Sequence, residues 1–445
     1  MDNFLSKKAD KFFRLSERKT SVKTELCGAF TTFVAMSYIL AVNPAVLSQA
    51  GMDKPTLVTV TALAAAVGCF FMAFMGNLPI AAAPAMGSNA YFSLVVCLGM
   101  GVGWREALGL VFYNGIIFLI ISITGLREKL VYAVPKALQI GLQCGIGVFI
   151  AFFGLQSAGI IVGNPNTLVS FADISKPETQ YALGGMLLVA VLVAKGYKTA
   201  VMLSIFIMTV LAMFITNSHG VKIAEMPSKI FALPHNIDQT FFKLDLGFLF
   251  RDFKTAFPVI VVLFMMDIFD SLGTIIAMGK RSGLMDENGR MENLGNALTA
   301  DAFSTIAGAL LGTSTTSSFV ESATGIQSGA RTGLCALFVG AFFLLSLFFG
   351  ELICAIPIQA AAPALVIVGV LMMQGIKTLK FDDMSELIPA VFCMLMIAFS
   401  FKISEGLALG VISYVTIRIF TGKAREMPLG TWLLFLLMVV LLCIC

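Results

Sequence analysis

Residues 258–266 (PVIVVLFMM) hold nothing polar, and the run they form ends in two aspartates, Asp267 and Asp270. Apolar runs of this kind recur along the whole chain, and their length limits the folds open to it. A helix needs about 20 apolar residues to cross the hydrocarbon of a bilayer. Fourteen segments can be read, near 27–48, 56–76, 82–100, 106–124, 135–157, 181–194, 200–216, 257–278, 294–311, 317–329, 332–349, 358–376, 385–400 and 404–421. Composition agrees: 58% of the 445 residues are hydrophobic and 13% charged, where soluble domains carry about 25% charged residues. The mean hydropathy is +0.92. A soluble protein with a large core would need polar outer faces on its helices, and most of these segments have none. The chain is expected to be an all-α polytopic membrane protein.

The N-terminal stretch 1–23 is too charged for a signal peptide and has no apolar core before Leu26. It reads either as a basic amphipathic helix on the membrane surface, with Phe4, Leu5, Phe12 and Phe13 dipping in, or as a solvated tail. The apolar tail 429–445 is either interfacial or a fifteenth, tilted element. The nine cysteines form no Cys-x-x-Cys and no Cys/His cluster; Cys69, Cys97, Cys144 and Cys393 fall in apolar runs and read as packing residues. A net charge of +4 spread over loops does not point to nucleic acid. It sets orientation instead. With the N-terminus inside, the inner loops carry Arg127, Lys129, Lys195, Lys198, Lys280, Arg281, Arg290, Arg331, Lys377, Lys380, Lys423 and Arg425, while the outer short loops carry fewer, such as Arg105, Lys176 and Lys402. The long loop 217–256 lies outside in this scheme. The expected location is the inner (cytoplasmic) membrane, with a cytoplasmic N-terminus.

Internal repetition is short but readable. "VP" at 134–135 and "IP" at 356–357 each open a small-residue span, and "GV" recurs at 147–148 and 369–370, the same offset of 222. Seven spans precede residue 220 and seven follow it, and an odd number per repeat inverts the second copy in the membrane. Segments 82–100 and 317–329 are rich in Ala, Gly, Ser and Thr. They suggest half-helices joined to extended backbone, which is tolerated only inside protein or beside a water-filled cavity.

Acids well inside spans, away from their ends, are few: Asp267, Asp270, Asp301 and Glu321. A charge at the bilayer centre costs about 2.5–3.5 kcal/mol on insertion scales. No Lys or Arg shares these spans, so a proton or a bound ligand is the expected compensation. Asp267 is either functional or a structural hydrogen-bonding group. Asp270 and Ser271, one turn on, share its face or else mark the polar end of the span. Glu321 sits among the hydroxyls of 314–324, a lining suited to a polar solute at membrane depth; the alternative is a solvated loop. In 79–94 (PIAAAPAMGSNAYFSL), Pro79, Pro84 and Gly87 break the helix, and Asn89 offers a donor and an acceptor or a helix cap.

The combination of "TTFVAMSYILAVNP" (31–44), "APAMGSNAYF" (83–92), "DIFDSLGT" (267–274), "ADAFSTIAGALLGTS" (300–314) and "SSFVESATGI" (317–326) resembles the AzgA-like purine permeases. These are guanine, hypoxanthine and adenine transporters related to the uracil permease and the nucleobase–ascorbate transporters. The resemblance covers nearly the whole chain. It implies two inverted seven-span repeats divided into a core domain (27–124 and 257–349) and a gate domain (125–216 and 350–421). The basic N-terminus (1–26), the loop 217–256 and the tail 422–445 lie outside both. It further implies proton-coupled uptake of a purine base by an elevator-like alternating-access mechanism, with no cofactor, and a homodimer. By motif, Asp267 and Glu321 hold the base, aided by Asn89, Phe319 and Phe33. Asp270, Ser271 and Asp301 take coupling or supporting roles. Where the uracil permease has a histidine one turn after its span-eight acid, this chain has Ser271, so a histidine proton relay does not carry over.

Two other classes compete. An intramembrane aspartyl protease needs two facing carboxylates that share a proton. Asp267 and Asp270 are neighbours on one helix, and no GxGD segment supplies a partner, so the chain is not expected to be an enzyme. A carrier of another nucleobase or of an anion on the same fold is the remaining alternative. Two acids disfavour an anion.

Overall fold

In lipid, an unsatisfied backbone N–H or C=O costs several kcal/mol, so each apolar run closes its hydrogen bonds internally as a helix. The computed structural model describes residues 2–124, 134–218, 220–227, 229–285, 291, 293–400 and 402–444. Among the described residues, nine helical stretches are long and apolar enough to cross a membrane. These are Val22–Ala50 (span one), Lys54–Gly76 (two), Trp104–Ile123 (four), Lys136–Ser157 (five), Pro177–Ala194 (six), Phe253–Ser282 (eight), Gly333–Cys354 (eleven), Ile358–Thr378 (twelve) and Ile403–Phe420 (fourteen). Ala200–Ala212, Leu294–Leu311 and Met384–Ser400 form spans seven, nine and thirteen.

Spans three and ten are helical over only part of their length. Span three begins as strand β1 (Ala82–Pro84), turns helical at Met86–Ala90 and widens into a π-helix over Tyr91–Gly99. A hairpin of β2 (Ile161–Asn164) and β3 (Leu168–Phe171) follows span five. Span ten opens with β4 (Thr316–Ser318) and continues as a short helix, Ser322–Gln327. The strands β1 and β4 pair antiparallel, Ala82 opposite Ser318 and Pro84 opposite Thr316. The two broken spans, one from each inverted repeat, therefore complete each other's backbone bonding.

The repeat pair read from the sequence marks the crossing of spans five and twelve. A Cβ on Gly147 would lie 2.7 Å from the Gly369 carbonyl oxygen, and one on Gly369 would land on the carbonyl oxygen of Gly147. Only glycine permits that approach. Pro135 and Pro357 stand immediately before the two helices.

Several boundaries differ from the sequence reading. Span one begins at Val22 rather than near 27. It also bends at Ser37–Tyr38, where Leu40 N and Ala41 N donate to the carbonyls three residues back. Span eight runs over Phe253–Ser282, beyond the expected 257–278. The N-terminal helix Asp2–Phe13 is followed by a turn whose Leu15 is buried, with Phe13, against Ala73, Leu334 and Ala336. It docks on protein at these residues. Phe12 stays exposed and meets the Phe74 ring edge-on. The side chains of Phe4 and Leu5, and the orientation residues Arg127, Lys129 and Arg290, lie outside the described residues. The tail is a helix, Leu429–Ile444, packed on span fourteen.

The long loop after span seven straps one end of the bundle. Ala232 N donates to Phe348 O, Phe242 N to Leu310 O and Asp245 N to Arg105 O, and His235 N to Thr59 Oγ1. These anchors stand at the ends of spans two, four, nine and eleven. At this surface the Arg251 guanidinium, hydrogen-bonded to Asp245, holds that carboxyl below the usual carboxylate range.

The glycine crossing yields a stability prediction. Gly369→Ala overpacks the contact with Gly147 and is expected to cost about 1–3 kcal/mol, read as a lower thermal midpoint of the purified protein. Gly184→Ala, where an added Cβ meets nothing within 4 Å, should leave the midpoint unchanged or raise it. Equal midpoints for the two variants would contradict the crossing.

Candidate functional site

The pairing of β1 with β4 places a small cluster of polar side chains at the middle of the bundle. Successive residues of a strand point to opposite faces, and β4 follows that rule. Ser317 Oγ donates to Asp270 Oδ2 of span eight at 2.9 Å, while Ser318 Oγ donates to Asp301 Oδ1 of span nine at 3.1 Å. Span nine also reaches the strand through Thr305 Oγ1, which donates to Thr316 O at 2.9 Å. The backbone ladder continues past the strands: Ala85 N donates to Thr315 O and Phe319 N to Ala81 O, both at 2.9 Å.

A cavity of about 280 Å³ lies on the Ser317 side, near the lower limit of the roughly 300–1,000 Å³ usual for small-molecule sites. Asp270, Ser317, Phe319 and Glu321 line one wall together with Tyr38 of span one; Gln143, Val368, Leu371 and Met372 of spans five and twelve line the other. The bend at Ser37–Tyr38 brings Tyr38 inward, and its hydroxyl donates to Glu321 Oε1 at 2.8 Å. A second chamber of about 420 Å³ shares Gln143, Asp270, Thr274 and Val320 with the first and runs along span eight to Ala277. The opening therefore points toward the end of span eight that carries Lys280 and Arg281.

Of the residues singled out in the sequence, the structure brings Asp270, Phe319 and Glu321 to the cavity. It sets the others elsewhere. Asp267 is 1% exposed and accepts from Asn114 Nδ2 of span four at 2.6 Å. Three residues advance a helix by roughly 300°, so Asp270 is turned about 60° from Asp267. That offset is enough to aim one at span four and the other at the cavity. Ser271 Oγ is buried with no hydrogen-bond partner among the described residues. Asp301 is buried behind β4. Phe33 packs on Phe342 and Phe343 of span eleven, so Tyr38 is the span-one aromatic at the cavity.

Asn89 is also absent from the cavity wall. It is fully buried in an amide–hydroxyl network that ties spans one, two and three to the loop before β4. Its Nδ2 donates to Asn43 Oδ1, and Ser314 Oγ donates to its Oδ1. Asn43 Nδ2 donates in turn to Thr61 Oγ1 at 2.7 Å and Thr313 Oγ1 at 3.2 Å. The sequence reading missed Tyr38, Asn43, Asn114 and Gln143. Asn114 was legible, being a lone amide inside an apolar span. Tyr38 and Asn43 lay within a quoted motif, but the bend that orients them did not show.

Comparison with known proteins adds three findings. The profile described as "Permease family" matches residues 23–409. The chain is 37% identical over 419 residues to the adenine permease AdeP of Escherichia coli (strain K12), covering 94% of this chain and 92% of that one. It is 36% identical over 439 residues to the guanine/hypoxanthine permease PbuG of Bacillus subtilis (strain 168), covering 96% and 98%. Among solved structures, the transmembrane domain of a cyanobacterium bicarbonate transporter, BicA, has the same fold. The TM-score is 0.64 at 17% identity, over 87% of this chain and 97% of that one.

The buried network gives a prediction of its own. Asn43→Leu removes the donor to Thr61 and Thr313 and leaves Asn89 Nδ2 without its acceptor. A loss of about 1–3 kcal/mol is expected for a buried polar group left unpaired. It should appear as a lower thermal unfolding midpoint, and an unchanged midpoint would show that the network does not support the crossing.

Proposed function

The chain belongs to the Permease family, and on that premise we propose that it takes up purine nucleobases across the cytoplasmic membrane, coupled to protons. The observation that carries the reading is the cavity at the β1–β4 crossing, where Asp270 and Glu321 converge beside Tyr38 and Phe319. A carboxylate accepts two neighbouring donors at once, as presented by N1–H and the exocyclic amine of guanine. An aromatic face adds stacking, about 1–3 kcal/mol per base in nucleic-acid sites. Relatives named for adenine and for guanine and hypoxanthine stand at nearly equal identity, which favours the purine class as a whole.

Asp270 takes the ligand role that sequence reading assigned to Asp267. Asp267 and Asp301 lie one layer deeper, both buried and neither lining the cavity. A buried carboxylate with no cation beside it is stabilised by protonation, and we assign the coupling proton to this layer. The cavity lies between core elements and gate elements, and it continues toward the Lys280 and Arg281 end of span eight. That arrangement supports an inward-open state of an elevator-like cycle, in which the core carries the site past the gate. An anion carrier shares the fold, but the described cavity lining pairs two carboxylates with no Lys or Arg, which argues against an anionic substrate.

Uptake of labelled adenine, guanine and hypoxanthine in cells lacking their own carriers tests the reading. Asp270→Asn and Glu321→Gln each lose a charge-assisted acceptor worth about 1.5–3 kcal/mol, which is roughly a 10- to 150-fold rise in KM. Unchanged KM in both would remove them from the site. Asp267→Asn should retain base binding and lose accumulation driven by a pH gradient. Normal accumulation by this variant would remove Asp267 from coupling. In the wild type, uptake should rise as external pH falls, vanish with a proton uncoupler and be indifferent to replacement of Na⁺ by choline. An absolute Na⁺ requirement would refute proton coupling.

A further inference from the structure

We propose that Gln143 of span five, assisted by Gln374 at the end of span twelve, reads the substituent at C6 of the bound purine and so sets base preference. The inference rests on the purine reading of the cavity above. Gln143 lines both chambers, and Gln374 lines the first, the one that holds Glu321. Both side chains are exposed to the cavity, and neither amide has a hydrogen-bond partner among the described residues. Gln139, one turn earlier on the same helix, shows the contrast: its Nε2 donates to Val134 O at 2.8 Å. The amide of Gln143 lies over span twelve, where a Cβ on Gly375 would come within 3.3 Å of its Oε1. The remaining gate residues on the first chamber, Val368, Leu371 and Met372, are apolar.

The opposite wall is rich in acceptors. Ser317 and Tyr38 already donate their hydroxyl protons to Asp270 and Glu321. Side-chain donors for an acceptor atom of the base must come from Thr274 on that wall or from the two glutamines facing it. A primary amide offers one donor and one acceptor face, which matches the N6 amine and N7 of a 6-aminopurine bidentately. Toward a 6-oxopurine, whose O6 and N7 both accept, only its Nε2 is useful. The gate wall thus meets amino and oxo bases through different atoms of the same side chain.

The test measures KM for adenine and hypoxanthine on the same membrane vesicles. Gln143→Glu keeps the length of the side chain and removes its donor. The hypoxanthine-to-adenine KM ratio is expected to rise about tenfold or more over the wild type. A ratio within twofold of the wild type, with both bases still transported, overturns the inference and leaves the purine reading intact. Wild-type protein that takes up neither base overturns both. If the charged variant does not reach the membrane, Gln143→Met decides the matter. Loss of the amide must move the ratio at least threefold, and an unmoved ratio overturns the assignment. Because the readout is a ratio of two KM values, a lowered amount of folded protein does not shift it.

Discussion

Two short strands hydrogen-bonded across the middle of a bilayer protein are the arrangement on which the remainder depends. Extended backbone at membrane depth is stable only where every N–H and C=O finds a partner. Here β1 and β4 supply each other, and Ala85, Thr315, Phe319 and Ala81 extend the ladder at both ends. Ala81 N turns to the Ser322 hydroxyl at 3.0 Å. The small residues around β1 allow the close packing this requires, since Ala81, Ala82 and Ala83 are all fully buried. Breaking the two spans at one level leaves their side chains free to form a site.

The strand pleat then sorts the acids into two layers. Ser317 faces the cavity and Asp270; Ser318 faces away, to Asp301. Asp267 stands with Asn114 on the far side of span eight. Glu321 lies three residues beyond β4 and is held by Tyr38. Asp270 and Glu321 line the cavity, whereas Asp267 and Asp301 do not.

The rest of the chain holds the core together as a unit. The strap after span seven binds spans two, four, nine and eleven. At the opposite end, Arg18 Nη1 donates to Arg331 O at 3.0 Å, and Glu25 Oε1 accepts from Arg331 N at 2.8 Å. Asn77 Oδ1 accepts from Gly333 N at 2.8 Å, and its Nδ2 donates to Phe13 O at 3.3 Å. The N-terminal segment is thereby fastened to the loop after span ten and to the loop between spans two and three. The gate is assembled differently, through the glycine crossing of spans five and twelve and the ion pairs of Arg418 with Glu386 and Glu426. Two bodies, each braced within itself, meet across the cavity.

Sequence alone determined the class and much of the architecture. Apolar run lengths demanded helices, the paired Pro and Gly positions revealed the repeat, and the small-residue segments at 82–100 and 317–329 announced interrupted spans. These are local or periodic properties, written in neighbouring residues. It also singled out Asp267, Asp270, Asp301 and Glu321, because each one is costly where it stands, but not Glu25, which is buried near the start of span one. Which acid faces the cavity was decided only by tertiary structure. Asp267 and Asp270 differ by about 60° around one helix, and that angle has meaning only once spans four and ten are in place. The same holds for Phe33 and Tyr38, separated by the bend in span one, and for Asn89, whose amide is consumed by Asn43 and Ser314. Gln143 and Gln374 were not singled out, since a glutamine in a span that carries several acquires its neighbours only from what folds opposite it.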